Sequence, residues 1–149
     1  MKAKVILCPV DFSPMTQHAL ELGSSLAIES GAKLTILHVE RTPVSFDGEM
    51  HREMSDDLIQ LKESLHRVLP TEPGVRFKHR FLFGDPAEVI LKTADTENAD
   101  LIIMGTHGRT GLSRFVMGSV AEQVVRRASC PVLTIRQPAE AKVMSLCSH

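Results

Sequence analysis

Short apolar runs alternate along this chain with segments of helical spacing, and that alternation restricts its fold more than any other feature. The runs cover residues 5–10, 34–39, 75–81, 101–104 and 132–135. Between the first two, Ala19, Leu20, Gly23, Leu26 and Ala27 keep helical spacing. Ser13 suits the N-cap of that helix, Pro14 its first turn, and Gly31 a left-handed stop. A second helix carries a stripe of Met50, Met54, Leu58, Leu61, Leu65 and Leu69, closed by Pro70. Asp85-Pro86-Ala87-Glu88 reads as N-cap, N1 and N3 of a third helix over 87–97. Ser119-Val120-Ala121-Glu122 reads as a capping box opening a fourth. Strict alternation of this kind predicts an α/β fold: a single doubly wound, mainly parallel five-stranded sheet with helices on both faces, Rossmann-like. Ligands bind such sheets at the carboxyl ends of the strands, where the strand order reverses.

Two runs read as sheet edges. In 75–81, Val75, Phe77, His79 and Phe81 alternate with Arg76, Lys78 and Arg80, a period of two with one polar face. Val132–Ile135 is short, apolar at successive positions and last in the chain. The expected organisation is one domain over 1–137 with a tail over 138–149.

Composition narrows function by exclusion. Seventeen basic against eighteen acidic residues leave no positive excess for a nucleic-acid backbone. No apolar stretch reaches bilayer-spanning length. The N-terminal apolar run is cut by Pro9-Val10-Asp11, so it reads as a buried strand and not a secretory signal, with the cytoplasm as the expected location. The three cysteines, Cys8, Cys130 and Cys147, have no paired spacing. Cys8 and Cys130 read as small buried hydrophobes, Cys147 as an exposed thiol. The seven histidines are scattered without metal-ligand spacing, and His38, late in a buried strand, reads as a satisfied core residue. Trp and Tyr are absent, so backbone hydrogen bonds must do most of the work of reading any bound base.

Two strand ends carry unusual chemistry. After the first comes Pro9-Val10-Asp11; after the fourth comes a glycine-bearing loop over 105–118. Glycine there permits close backbone approach, so amides can converge on phosphate oxygens, and the helix opening at Ser119 adds free N–H groups. His107, Arg109 and Arg114 supply counter-charge. The loop matches neither GxxxxGK[ST] nor GxGxxG. Taken alone it leaves both a phosphate cradle and a plain tight turn open.

The loop resembles the signature of the universal stress protein family: glycine, two residues, glycine, nine residues, glycine and serine, here Gly105, Gly108, Gly118 and Ser119. The family's first-strand motif, proline-x-aspartate-x-serine, appears as Pro9-Val10-Asp11-Phe12-Ser13. Further matching stretches are Leu37-His38-Val39, Gly84-Asp85-Pro86, the segment from Ala99 to Gly105, and that from Pro131 to Arg136. The resemblance implies the family's nucleotide-binding branch, with ATP or another adenine nucleotide as ligand. It assigns Pro9, Val10, Asp11 and Val39 to the adenosine end, Val39 acting through its backbone. Met104, Gly105, Thr106, His107, Gly108, Arg109, Gly118, Ser119 and Val120 would surround the ribose and phosphates. Asp11, a carboxylate, should face ribose or base, or reach phosphate only through Mg²⁺. Its plainer reading is a cap on the neighbouring helix. The resemblance also implies a homodimer through Val132–Ile135, and a regulatory module whose nucleotide state a protein partner reads. A slow ATPase or phosphotransferase and a scaffold without nucleotide are the alternatives.

Overall fold

The computed structural model describes residues 2–41, 52–106 and 117–136, with the backbone alone for 52–55. Within them the chain runs β1 (Val5–Pro9), α1 (Met15–Ser30), β2 (Lys33–Glu40), α2 (Arg52–His66), β3 (Phe77–Phe83), α3 (Pro86–Thr96), β4 (Leu101–Gly105), α4 (Ser119–Arg127) and β5 (Val132–Ile135). The strands form one parallel sheet in the order β3-β2-β1-β4-β5. The expected fold class is the one found, with β3 and β5 at the two edges.

Residue parity divides the core. Ile6, Cys8, Leu34, Ile36 and Ile103 point to the side covered by α1 and α2. Leu7, Leu37, Ile102 and Met104 point to the side covered by α3 and α4. The central strands are buried on both faces, which is why they read as continuous apolar runs instead of alternating ones. Burial pushes the Cys8 thiol up to about 12, so it packs as a small hydrophobe. Cys130, partly buried, is also raised, chiefly by desolvation and then by Asp95.

The polar side chains of β3 are part-exposed but tied to a single carboxylate. Lys78 and Arg80 both reach Glu97 at the end of α3, Nζ to Oε1 at 3.0 Å and Nη1 to Oε2 at 2.8 Å. The Thr35 hydroxyl donates to Oε1 at 3.0 Å. Burial works to raise the Glu97 carboxyl, but the bonds from Arg80, Lys78 and Thr35 together outweigh it and hold it below the usual carboxylate range.

Three local expectations need correction. Ser13 does not cap α1: the N-cap position is Pro14, with no side-chain bond. Asp11 takes the turn instead, its Oδ1 accepting from Ser13 N–H at 2.9 Å, while Ser13 Oγ is buried without a partner among the described residues. Ser119 does not close a capping box either: Gly118 is the N-cap and Ser119 the first helical residue, so its hydroxyl lies one position too late to reach back over the first turn. Glu122 pairs forward with Arg126. Finally, α2 ends at His66, before Pro70. Beyond it helical spacing no longer applies, and Val68 packs on the core while Leu69 is 53% exposed. By contrast Asp85 caps α3 as expected, accepting from Glu88 N–H at 3.1 Å. Met50, the side chain of Met54, Cys147 and the tail lie outside the described residues.

Candidate functional site

A cavity of about 460 Å³ opens at the carboxyl ends of β1, β2 and β4, where the strand order reverses about β1. That volume falls within the range of roughly 300–1,000 Å³ typical of small-molecule sites. The way the strands end creates it. Lys33 and Leu37 direct their backbone groups toward β1, through Lys33 N–H to Lys4 O and Val10 N–H to Leu37 O. Leu34 and Glu40 direct theirs toward β3, through Leu34 N–H to Arg76 O and Gly84 N–H to Glu40 O. Since alternate residues of a strand face alternate neighbours, Val39 turns its N–H and C=O to the β1 side. There the paired register has already stopped at Pro9↔Leu37, so these groups face the cavity.

On the other side of β1, pairing with β4 stops at Leu7↔Ile102. Residues 5, 7 and 9 face β4, and the next rung would need an N–H from residue 9. Proline has none, so the ladder lapses and the sheet parts between β1 and β4.

Beyond Pro9 and Val10, Asp11 lies in a tight turn. Phe12 sits at φ 64°, a left-handed conformation that costs a bulky residue on the order of 1–2 kcal/mol. Its ring is held by His38, centroids 4.5 Å apart, and by the core under α1. Asp11 Oδ1 accepts from Ser13 N–H and, at 3.5 Å, from the Thr16 hydroxyl, so it closes the turn before α1 but takes no backbone N–H of the helix itself. Asp11 also lines the cavity.

The glycine loop is pinched at its neck. Gly118 N–H donates to Thr106 O at 2.7 Å, bringing the end of β4 against the start of α4 across the intervening loop. Thr106, 3% exposed, is itself anchored on the edge strand, its N–H and hydroxyl both donating to Ile135 O at 3.0 and 3.3 Å. The neck turns Met104, Gly105 and Thr106 into the same cavity as Gly118, Ser119 and Val120. Gly118 is buried at φ −63°, ψ 155°, angles open to any residue, so what glycine offers there is space. Among the described residues no side chain caps α4, and Gly118, Ser119 and Val120, which open the helix at the positive end of its dipole, line the cavity.

Of the residues singled out from sequence, Pro9, Val10, Asp11 and Val39 line one part of the cavity, and Met104, Gly105, Thr106, Gly118, Ser119 and Val120 another. His107, Gly108, Arg109 and Arg114 lie outside the described residues. Several lining residues were not anticipated, among them Glu40, Arg41, Pro86, Ile90 and, as more than core, His38. The Asp85-Pro86 helix start is plain in the sequence. That α3 crosses back over β2 toward the cavity depends on the strand order, which the sequence does not spell out. His38 is buried as expected, with both ring nitrogens engaged, Nδ1 on Val10 O and Nε2 on Glu40 Oε1, each at 2.8 Å. Among the described residues no three His, Cys, Asp or Glu side chains converge as a metal site, and no helix is long and apolar enough to cross a membrane.

The profile of the universal stress protein family matches residues 2–136. Universal stress protein MJ0531 of Methanocaldococcus jannaschii is 36% identical over 141 residues, covering 91% of this chain and 83% of that protein. The solved structure of MJ0577 from the same organism superposes with a TM-score of 0.75 at 30% identity, covering 93% of this chain and 99% of that one. A universal stress protein from Archaeoglobus fulgidus, solved in complex with dAMP, superposes with a TM-score of 0.68 at 25% identity, covering 92% of this chain and all of the other. The chain belongs to the universal stress protein family.

Proposed function

We propose that this protein binds an adenine nucleotide, ATP foremost, in the cavity at the ends of β1, β2 and β4. In this reading it acts in the cytoplasm as a dimeric, nucleotide-dependent stress-response module. The observation that carries the reading is the Thr106–Gly118 neck, which puts the start of α4 and the exposed backbone edge of Val39 in one cavity. Val39 presents an acceptor and a donor side by side, matching the amino group and ring nitrogen of an adenine edge. Aliphatic side chains such as Ile90 flank it, which suits a protein without Trp or Tyr. The amides opening α4, with Gly105 and Gly118, would take phosphate oxygens. Asp11 would face the ribose, and any Mg²⁺ would be held mainly by phosphates and water. The relative solved in complex with dAMP supports the ligand class.

Denaturing the purified protein and identifying released nucleotide by mass spectrometry tests the reading directly. Calorimetry with ATP then tests the site. Gly118→Val should abolish binding with the fold intact by circular dichroism, because a branched side chain fills the space beside the neck. Arg109→Ala should weaken binding by about 1 kcal/mol or less, because this reading puts the phosphates on backbone amides and not on charged side chains. Unchanged affinity in Gly118→Val would remove the site, and no binding by the parent would favour the scaffold alternative. Metal-dependent turnover of several per second, lost in Asp11→Ala while binding persists, would instead favour a phosphotransferase.

A further inference from the structure

The Ser13 hydroxyl is buried and has no hydrogen-bond partner among the described residues. Proteins pair nearly all of their buried polar atoms, because a hydroxyl taken out of water without a partner destabilises the fold. The groups that a serine before a helix ordinarily takes are engaged elsewhere. Thr16 N–H, in the first turn of α1, donates to the Ser13 carbonyl at 3.0 Å. Ser13 N–H donates to Asp11 Oδ1 at 2.9 Å, and the Thr16 hydroxyl donates to the same oxygen at 3.5 Å. The N-cap is Pro14, which has no side-chain oxygen. The turn from Asp11 into α1 is therefore complete without the serine hydroxyl, and capping does not account for that group.

The cavity does. Ser13 lines it together with Asp11 and Thr16, in the turn that follows β1. A serine side chain turns about one χ angle, so its hydroxyl passes from the buried position to a bound molecule without backbone movement. The chemistry of that molecule is limited by the neighbouring carboxylate. Asp11 repels a phosphate, and the edge of a base is already matched at Val39. Two adjacent sugar hydroxyls suit both side chains, one donating to the Asp11 carboxylate and the other sharing a hydrogen bond with Ser13 Oγ.

Resting on the nucleotide reading above, we propose that Ser13 is a specificity-determining residue for the sugar of the bound nucleotide, its hydroxyl pairing with a ribose hydroxyl beside Asp11. The unpaired group slightly destabilises the free protein and is satisfied in the complex. A hydroxyl in this role has a signature that a structural one lacks: its removal weakens binding without weakening the fold.

The test is Ser13→Ala, which removes the oxygen and adds nothing in its place. Urea unfolding without ligand, and calorimetry with ATP and with its dideoxy analogue lacking both sugar hydroxyls, compare the variant with the parent. The urea midpoint of the variant should equal or exceed that of the parent, since no bond is broken and a buried unpaired atom is gone. ATP affinity should fall about fivefold, the effect of one neutral hydrogen bond. The dideoxy analogue should bind parent and variant alike, so the parent's preference for ATP over the analogue shrinks by the same factor of about five. A lower urea midpoint with both affinities unchanged would overturn the proposal and assign the hydroxyl to a buried water that holds the turn. Equal losses for the two ligands would overturn it as well, because the effect would not pass through the sugar. A parent that binds neither ligand would overturn the nucleotide reading and the proposal with it, an outcome distinct from a parent that binds ATP with no contribution from Ser13.

Discussion

Gly84 joins β3 to the Asp85 cap of α3 at φ +139°, a region that residues with a Cβ rarely enter. Forcing alanine into it costs about 1–3 kcal/mol in backbone strain alone. A Cβ built there would lie 2.8 Å from Val89 Cγ2. Valine in a helix has one strongly preferred rotamer, so the methyl group does not simply swing away. Overpacking adds about another 1–3 kcal/mol. The sum, about 4 kcal/mol, is a large part of the roughly 5–15 kcal/mol that stabilises a domain of this kind. With a urea slope of about 2 kcal/mol/M, the unfolding midpoint of Gly84→Ala should fall by about 2 M. Gly31→Ala is the control: its φ is +73°, and nothing lies within 4 Å of the added Cβ. Strain without a clash should cost about 1 kcal/mol, or about 0.5 M. Because Gly84 N–H also donates to Glu40 O at 2.9 Å, the Gly84 variant should bind nucleotide more weakly than Gly31→Ala even where both are folded. Equal midpoints for the two variants would refute the account of both the strain and the contact.

Two further outcomes follow from the sheet. Glu97, with its side chain 12% exposed, accepts from three donors; Glu97→Gln turns an N–H₂ group toward them and should cost about 2–3 kcal/mol in urea unfolding at pH 7. Its carboxyl lies below the ordinary range when folded, so its stabilisation is present at neutral pH and is lost as pH falls through the folded value; the parent should lose stability on acidification more steeply than Glu97→Gln. At the other edge, β5 exposes Leu133 at 41%, and light scattering should give a dimer that Leu133→Lys converts to monomer; a monomeric parent at micromolar concentration would remove the β5 interface.

Most of the fold was legible because the alternation of strands and helices is local, and so are its punctuation marks. Asp85-Pro86 and Gly31 each behave as their residue types dictate. What misled was competition between neighbouring polar groups. The first-turn N–H that a capping Ser13 hydroxyl would take, that of Thr16, goes instead to the Ser13 carbonyl, while Asp11 takes Ser13 N–H, and the serine hydroxyl has no partner among the described residues. Likewise Gly118 and Ser119 are both acceptable caps, and only the Thr106 bond to Gly118 N–H fixes which takes the position. The site was legible where a motif holds it, at Pro9 to Asp11 and at Gly118 to Val120. It was illegible at Glu40, Pro86 and Ile90, which reach the cavity through the strand order. His38 shows the limit in another way: burial was readable from its apolar neighbours, but its two acceptors come from a strand end and from a residue two positions on.

Pro9 gives a sharper view of how the first-strand motif makes the site. In a central strand a proline is ordinarily a defect, since it removes a ladder donor. Here the missing donor falls on the β4 side, where pairing already ends at Leu7↔Ile102, while on the β2 side Val10 N–H still reaches Leu37 O at 2.8 Å. The residue therefore opens one seam and leaves the other closed. Pro9→Ala restores an N–H aimed at β4 and should extend that ladder by one rung, gaining about 0.5–1.5 kcal/mol from the bond, partly offset by the freer unfolded chain. The stability change is thus small, but the seam between β1 and β4 narrows where Gly105 and Thr106 enter the cavity. Nucleotide affinity should fall while the urea midpoint stays within about 0.5 M of the parent. Hydrogen exchange supplies the independent readout, since the new amide at position 9 should be protected. A protected amide with unchanged affinity would mean that the seam does not control the site. An unprotected amide with lost affinity would mean that the proline acts through the turn at Asp11 and not through the sheet.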